Sequence, residues 1–159
     1  ERIGEAKAEW AVGRMRNLLI YPNVFFMDQT SSQIRVFRPV AVDKTEVTVY
    51  CFAPKGEAPA ARAHRIRQYE DFFNASGMAT PDDLTEFSEV QKGCRAHTIA
   101  HWSDMSRGMT QEIKGPDYLA KDLNISPASS GAKVDDEGIF LAQHIRWLHL
   151  MGLNGGDLS

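Results

Sequence analysis

Cysteine is nearly absent from this 159-residue chain: there are two, Cys51 and Cys94, far apart and in no Cys-x-x-Cys pair. A cysteine-built metal or iron–sulfur site is thereby excluded by count, and unpaired thiols in a cytosolic protein are the simplest reading. Long apolar runs are missing too. None approaches the roughly 20 residues needed to cross a bilayer, and no signal-peptide pattern opens the chain. Neither sign of charge dominates: the net charge is −3 with 25% charged residues, so nothing electrostatic points to nucleic acid or an anionic membrane as partner. There is no glycine-rich phosphate loop, no Gly-x-Ser-x-Gly elbow and no His-Glu-x-x-His helix. No internal repeat or low-complexity segment occurs. What remains, at 43% hydrophobic, is an ordinary globular composition and a length suited to one domain with a substantial core.

The pattern of residues predicts an α+β chain. Residues 1–16, with Ile3, Ala6 and Trp10 on one face, read as an amphipathic helix. The segment 18–28 is strand-like but interrupted by Pro22, which cannot donate to a ladder, and reads as two short strands or one bent edge strand. Residues 33–54 hold two β-rich runs around Asp43-Lys44, a hairpin turn; Val47, Val49 and Cys51 alternate with Glu46, Thr48 and Tyr50, the period of a half-buried strand. Helices follow over 57–73, with Ile66, Tyr69 and Phe73 in phase, and from Thr80 to about Cys94. Residues 103–117 and 126–131 read as loops, and an acidic start at Asp135-Asp136-Glu137 leads into a C-terminal helix ending at Gly152. An antiparallel meander with helices grouped after it is the architecture expected.

Several residues invite a chemical reading, and each has a plainer one. In Thr80-Pro81-Asp82-Asp83 the threonine is a good N-cap, the proline suits the first helical position, and both aspartates favour the positive helix end; Asp83 stands where a variant capping box would use it. His97 and His101 are four apart, a metal-bridging separation on a helix, but without a neighbouring glutamate they read as a surface pair. His144 and His149 are five apart, about 140° around a helix, and cannot easily share one ion. Ser106-Arg107-Gly108 is a weak match to a phosphate-gripping turn.

The stretches YPNVFFMDQTSSQIRVFRPVAVDKTEVTVYCFAPKGE (21–57) and RIRQYEDFFNASGMATPDDLTEF (65–87), with SRG at 106–108, nevertheless form a longer pattern. It resembles the C-terminal part of the large (alpha) subunit of Rieske-type aromatic-ring-hydroxylating dioxygenases, in the benzoate, toluate, anthranilate and 2-halobenzoate branch. The resemblance covers most of the chain and is weakest over 92–105 and at the C-terminus.

That resemblance implies a helix-grip (START-like, Bet v 1-like) catalytic domain whose curved antiparallel sheet wraps a long helix. It implies a mononuclear Fe(II) held by two histidines and one carboxylate, with open positions for O₂ and substrate. It implies electrons arriving from NADH through a separate reductase and a Rieske [2Fe–2S] cluster, to make a cis-diol on a benzoate-type ring. A small beta subunit and an oligomeric, cytoplasmic enzyme of aromatic catabolism belong to the same picture. The family's carboxylate ligand is the second of an Asp-Asp pair shortly after a glycine, which here is Asp83; Asp82 is then a helix-start or supporting residue. Phe73 aligns with a position that shapes the substrate pocket, and Asn23 with a pocket-lining strand, although core packing and a turn are their plainer roles. The two histidine ligands and the Rieske Cys/His pairs have no counterpart here, and the first residue is Glu1 rather than Met. The expectation is therefore a C-terminal piece of a longer subunit, without activity of its own. The alternative is a non-catalytic helix-grip module that binds an apolar ligand. Asp83 separates the two readings: a metal ligand faces the cavity, a capping residue faces solvent or the helix end.

Overall fold

The computed structural model describes residues 2–29, 31–96, 98–99, 102–131 and 133–153. In chain order the main elements are α1 (Glu5–Ala8), β1 (Arg16–Ile20), β2 (Val24–Gln29), β3 (Ser31–Ala41), β4 (Lys44–Cys51), α2 (Pro59–Phe72), α3 (Thr80–Gly93), β5 (Ile113–Lys114), α4 (Tyr118–Asp122), β6 (Ser129–Ser130) and α5 (Gly138–Leu150). The α+β content and the antiparallel meander are as the sequence predicts. The backbone divides into two compact units, Met15–His101 and a second made of Glu1–Arg14 with Trp102–Ser159.

In the Met15–His101 unit, β1-β2-β3-β4 form one antiparallel sheet in sequence order. Pro22 lies between β1 and β2, so the interrupted run resolves into two strands, paired Leu19 to Phe25 and Leu18 to Phe26. The β3–β4 turn is Val42-Asp43, one residue earlier than expected, because Lys44 still pairs with Ala41. Register places Phe25, Arg35 and Val49 in one cross-strand row and Phe37 beside Val47. Because side chains alternate along a strand, these residues share the face that meets α2 and α3. Phe25 and Phe37 touch edge to face, with ring centroids 5.3 Å apart.

Two helices close that face. Arg65 of α2 grips Glu57 with Nε and Nη2, at 3.0 and 2.7 Å, and donates from Nη1 to Ser32 Oγ of β3 at 3.0 Å. Between α2 and α3 the chain doubles back: Met78 N–H donates to the Asp71 carbonyl and Ala79 N–H to the Phe72 carbonyl. The Thr80 hydroxyl donates to the Phe73 carbonyl at 2.8 Å. The last carbonyls of α2, which have no partner inside their own helix, are thus satisfied by the start of α3.

The expected capping at Thr80 needs correction. The residue before the helix is Ala79, itself in helical conformation, and no side chain caps this end. Thr80 opens α3 with its hydroxyl spent on Phe73, so the capping box with Asp83 does not form. The Asp83 N–H instead makes an ordinary helical bond to the Ala79 carbonyl, at 3.1 Å.

In the other unit, the predicted 1–16 helix shrinks to α1 and one wide π turn, Glu9–Gly13, after which Arg14 is extended. Glycine is a poor helix former, and Arg14 finds better partners outside: Asp117 at 3.4 Å, the Tyr118 hydroxyl at 3.0 Å and the Tyr118 ring. The expected loops hold short elements. Ile113 and Lys114 pair with Ser130 and Ser129, and Asp117 caps α4 by accepting from Ala120 N–H at 2.8 Å. At Ser106-Arg107-Gly108, Arg107 pairs with Glu137 at 3.1 Å, so the turn is held by an internal ion pair.

Candidate functional site

The Met15–His101 unit contains a cavity of about 310 Å³. Its floor is the sheet, through Arg35 and Phe37 of β3 and Val47 and Val49 of β4. Its wall is the end of α2, Tyr69 and Phe73, and its rim is the first two turns of α3, where Thr80, Asp83, Leu84 and Phe87 face inward together. Those four stand at i, i+3, i+4 and i+7, the single face of a helix.

Asp83 is half-buried while Asp82 is exposed. The Asp83 side chain makes no hydrogen bond or ion pair among the described residues and opens onto the cavity. Phe73 is 7% exposed; its ring meets Phe72 edge to face at 4.8 Å and carries the Arg35 guanidinium 5.2 Å above its centroid. It therefore both packs the unit and borders the cavity. Asn23 sits in the β1–β2 turn, as a turn-forming residue would, and does not border the cavity. Its amide donates to the Phe37 carbonyl at 2.9 Å, fixing the backbone of a residue that does.

Arg35 and Tyr69 are the functional candidates that motif reading passes over. Arg35 donates from Nε to Gln33 Oε1 at 3.2 Å, and fully buried Gln33 is itself anchored on Ser31 Oγ at 2.7 Å. The Arg35 Nη2 is buried without an acceptor. Burial pushes the pKa of this guanidinium down, opposed by the charge of Asp83 and by Tyr69. Burial likewise raises the Tyr69 phenol. Parity holds the signal that could have found Arg35: it alternates in phase with Phe37 and falls among apolar cross-strand partners, where a charge is out of place.

Asp83 suits a hard cation as an anionic oxygen donor with no competing partner. Among the described residues no group of three His, Cys, Asp or Glu is arranged to hold a metal ion. His97 and His101 lie outside the described residues. His144 and His149 are both exposed on α5.

A sheet and two helices around an aromatic-lined cavity with one open carboxylate define a cavity-bearing α+β unit. The sequence narrows this to a family. The chain belongs to the ring hydroxylating alpha subunit (catalytic domain) family, whose pattern matches residues 4–124. It is 55% identical over 150 residues to the 2-halobenzoate 1,2-dioxygenase large subunit of Burkholderia cepacia, covering 94% of this chain and 32% of that protein. It is 53% identical over 148 residues to the toluate 1,2-dioxygenase subunit alpha of Pseudomonas putida, covering 93% and 32%. Against the anthranilate 1,2-dioxygenase large subunit of Acinetobacter baylyi it is 53% identical over 156 residues, covering 97% and 33%. The chain thus spans about a third of the length of these curated relatives.

Proposed function

We propose that this chain is the C-terminal part of the catalytic subunit of an aromatic-ring dioxygenase that cis-dihydroxylates benzoate-type acids, with Asp83 the carboxylate ligand of a mononuclear Fe(II). The observation that carries the reading is the open Asp83 carboxylate on the cavity rim, in a chain whose relatives bear the names of three aromatic-acid dioxygenases. It favours a metal site over the non-catalytic binding module, which gives Asp83 no reason to face inward. A helix-grip fold is the corresponding architecture, with the two histidine ligands and the Rieske domain supplied by the rest of the subunit.

Bound iron would supply O₂ activation and open coordination positions. The chain's own residues do the positioning. The α3 helix carries Asp83 at the rim, and Phe73 and Phe37 give the ring apolar walls. The volume is at the small end of ligand pockets, roughly 300–1,000 Å³, which suits a single substituted ring. Asn23, placed among the substrate-binding residues by resemblance, would act only by positioning Phe37, whose carbonyl it holds. Electrons would come from NADH through a reductase and the Rieske cluster, with a beta subunit completing a cytoplasmic oligomer; family membership supports this in general form.

In the full-length subunit, Asp83→Ala is expected to abolish ring oxidation and empty the mononuclear iron site while the Rieske absorption stays intact. Near-normal product formation by this variant, with iron retained, overturns the ligand assignment. Asp82→Ala is the control and is expected to keep both.

A further inference from the structure

The cavity has two charged groups on its lining, Asp83 and Arg35, and only one of them is accounted for by the proposed function. Arg35 occupies an inward position between Phe25 and Val49, a row that is otherwise apolar. Placing a guanidinium there takes it out of water, and its buried Nη2 then lacks any acceptor among the described residues. Its orientation is nevertheless set from both sides, by the Nε bond to Gln33 and by the face of the Phe73 ring. The part of this guanidinium that borders the cavity is a fixed cation with no carboxylate partner among the described residues, and it is open to an anion that comes from outside the sheet.

Asp83 does not fill that role. Its charge is felt by Arg35 across the cavity but makes no ion pair with it. If Asp83 is committed to a metal ion, its charge is spent there, and the lining is left with an uncompensated positive group. An anionic ligand restores the balance, and a carboxylate can accept a charge-assisted hydrogen bond from the part of the guanidinium that borders the cavity.

We propose that Arg35 is the carboxylate anchor of this cavity, holding the acid group of an aromatic substrate whose ring lies against Phe73 and Phe37. This rests on the proposed function for the aromatic acid, but it assigns the residue that reads the acid group, which the family alone does not. Arg35 in this role decides for acids over uncharged rings of the same shape.

The test uses the intact, assembled oxygenase and equilibrium binding of benzoate and of benzamide, which has the same ring without the charge. Wild type is expected to bind benzoate about ten-fold or more tighter than benzamide, the scale of one charge-assisted hydrogen bond. Arg35→Gln is expected to weaken benzoate about ten- to a hundred-fold with little change for benzamide, and Arg35→Lys to recover part of the loss. Equal losses for both ligands mark a structural role and overturn the anchor, as does unchanged benzoate affinity in Arg35→Gln. If the variants do not assemble, wild type alone still decides, since parity between the two ligands overturns the proposal. Turnover is measured separately. An enzyme that binds benzoate through Arg35 but oxidises no aromatic acid removes the proposed function and leaves the anchor standing. One that oxidises aromatic acids without needing Arg35 does the reverse.

Discussion

Two adjacent aspartates show how much one helical step decides. Asp82 and Asp83 are the same residue in the same first turn, yet about 100° of rotation sends one to water and the other to the cavity. The difference is legible in the sequence, because Asp83 falls in phase with Leu84 and Phe87 and Asp82 does not. Capping preferences obscured it, since they treat both carboxylates alike. Phe73 and its neighbour Phe72 make the same point, one buried and one 38% exposed. The Glu57–Arg65 pair is less visible, because its partners are eight residues apart and meet only once α2 has formed. Arg65 holds the Glu57 carboxyl below its ordinary range, chiefly by hydrogen bonding. A depressed carboxylate pKa stabilises the fold above the unfolded value and loses that contribution as pH falls through the folded one. The stability advantage of wild type over Glu57→Gln is therefore expected to be full near pH 7 and to fade below about pH 4.3. Urea midpoints of the two proteins across that range check it, and a gap that does not narrow in acid contradicts it.

Between elements, the turn from α2 to α3 carries the most consequence for the site. Its residues Asn74–Ala79 bring the start of α3 back onto the last carbonyls of α2, and so set Asp83 across the cavity from the sheet. Gly77 makes this possible by close approach rather than by unusual backbone angles. A Cβ on Gly77 would lie 2.5 Å from the Phe72 carbonyl oxygen, and backbone on both sides cannot yield cheaply. Gly77→Ala is expected to cost about 1–3 kcal/mol, as overpacking does, and to lower iron content and activity together in the intact enzyme. Thermal unfolding and metal analysis are the readouts; a variant with normal iron and normal Tm shows that the turn has slack. Periodicity placed both helices within about two residues of their true ends. It could not show that Gly77 is needed by a neighbouring helix, because that contact is made by backbone folded back from five residues earlier.

On the scale of the whole chain, the described residues bury few large apolar side chains. Phe73 is buried in the Met15–His101 unit and Leu119 and Ala120 in the other. The sheet face opposite the cavity is apolar but open, with Leu18 59%, Ile20 51% and Tyr50 57% exposed. On α5, Ile145 and Leu150 are more than half exposed as well. Exposed apolar faces of this extent mark surfaces that bind something. The 159-residue chain by itself is therefore expected to bind a hydrophobic dye strongly at neutral pH and to unfold over a broad urea range, a low m-value for its length. Weak dye binding with a steep transition contradicts this. The strands and helices of the Met15–His101 unit, the alternation of Val49 and Cys51 with exposed Tyr50 in β4, the inward phase of Asp83 and the family itself were determined by the sequence, since periodicity and extended identity are local or linear properties. The meeting of Arg35, Phe73 and Asp83 in one cavity was decided by tertiary structure alone. It depends on the register of β2, β3 and β4 and on the fold-back of α3 onto α2, contacts between residues far apart in the chain whose geometry no single segment contains.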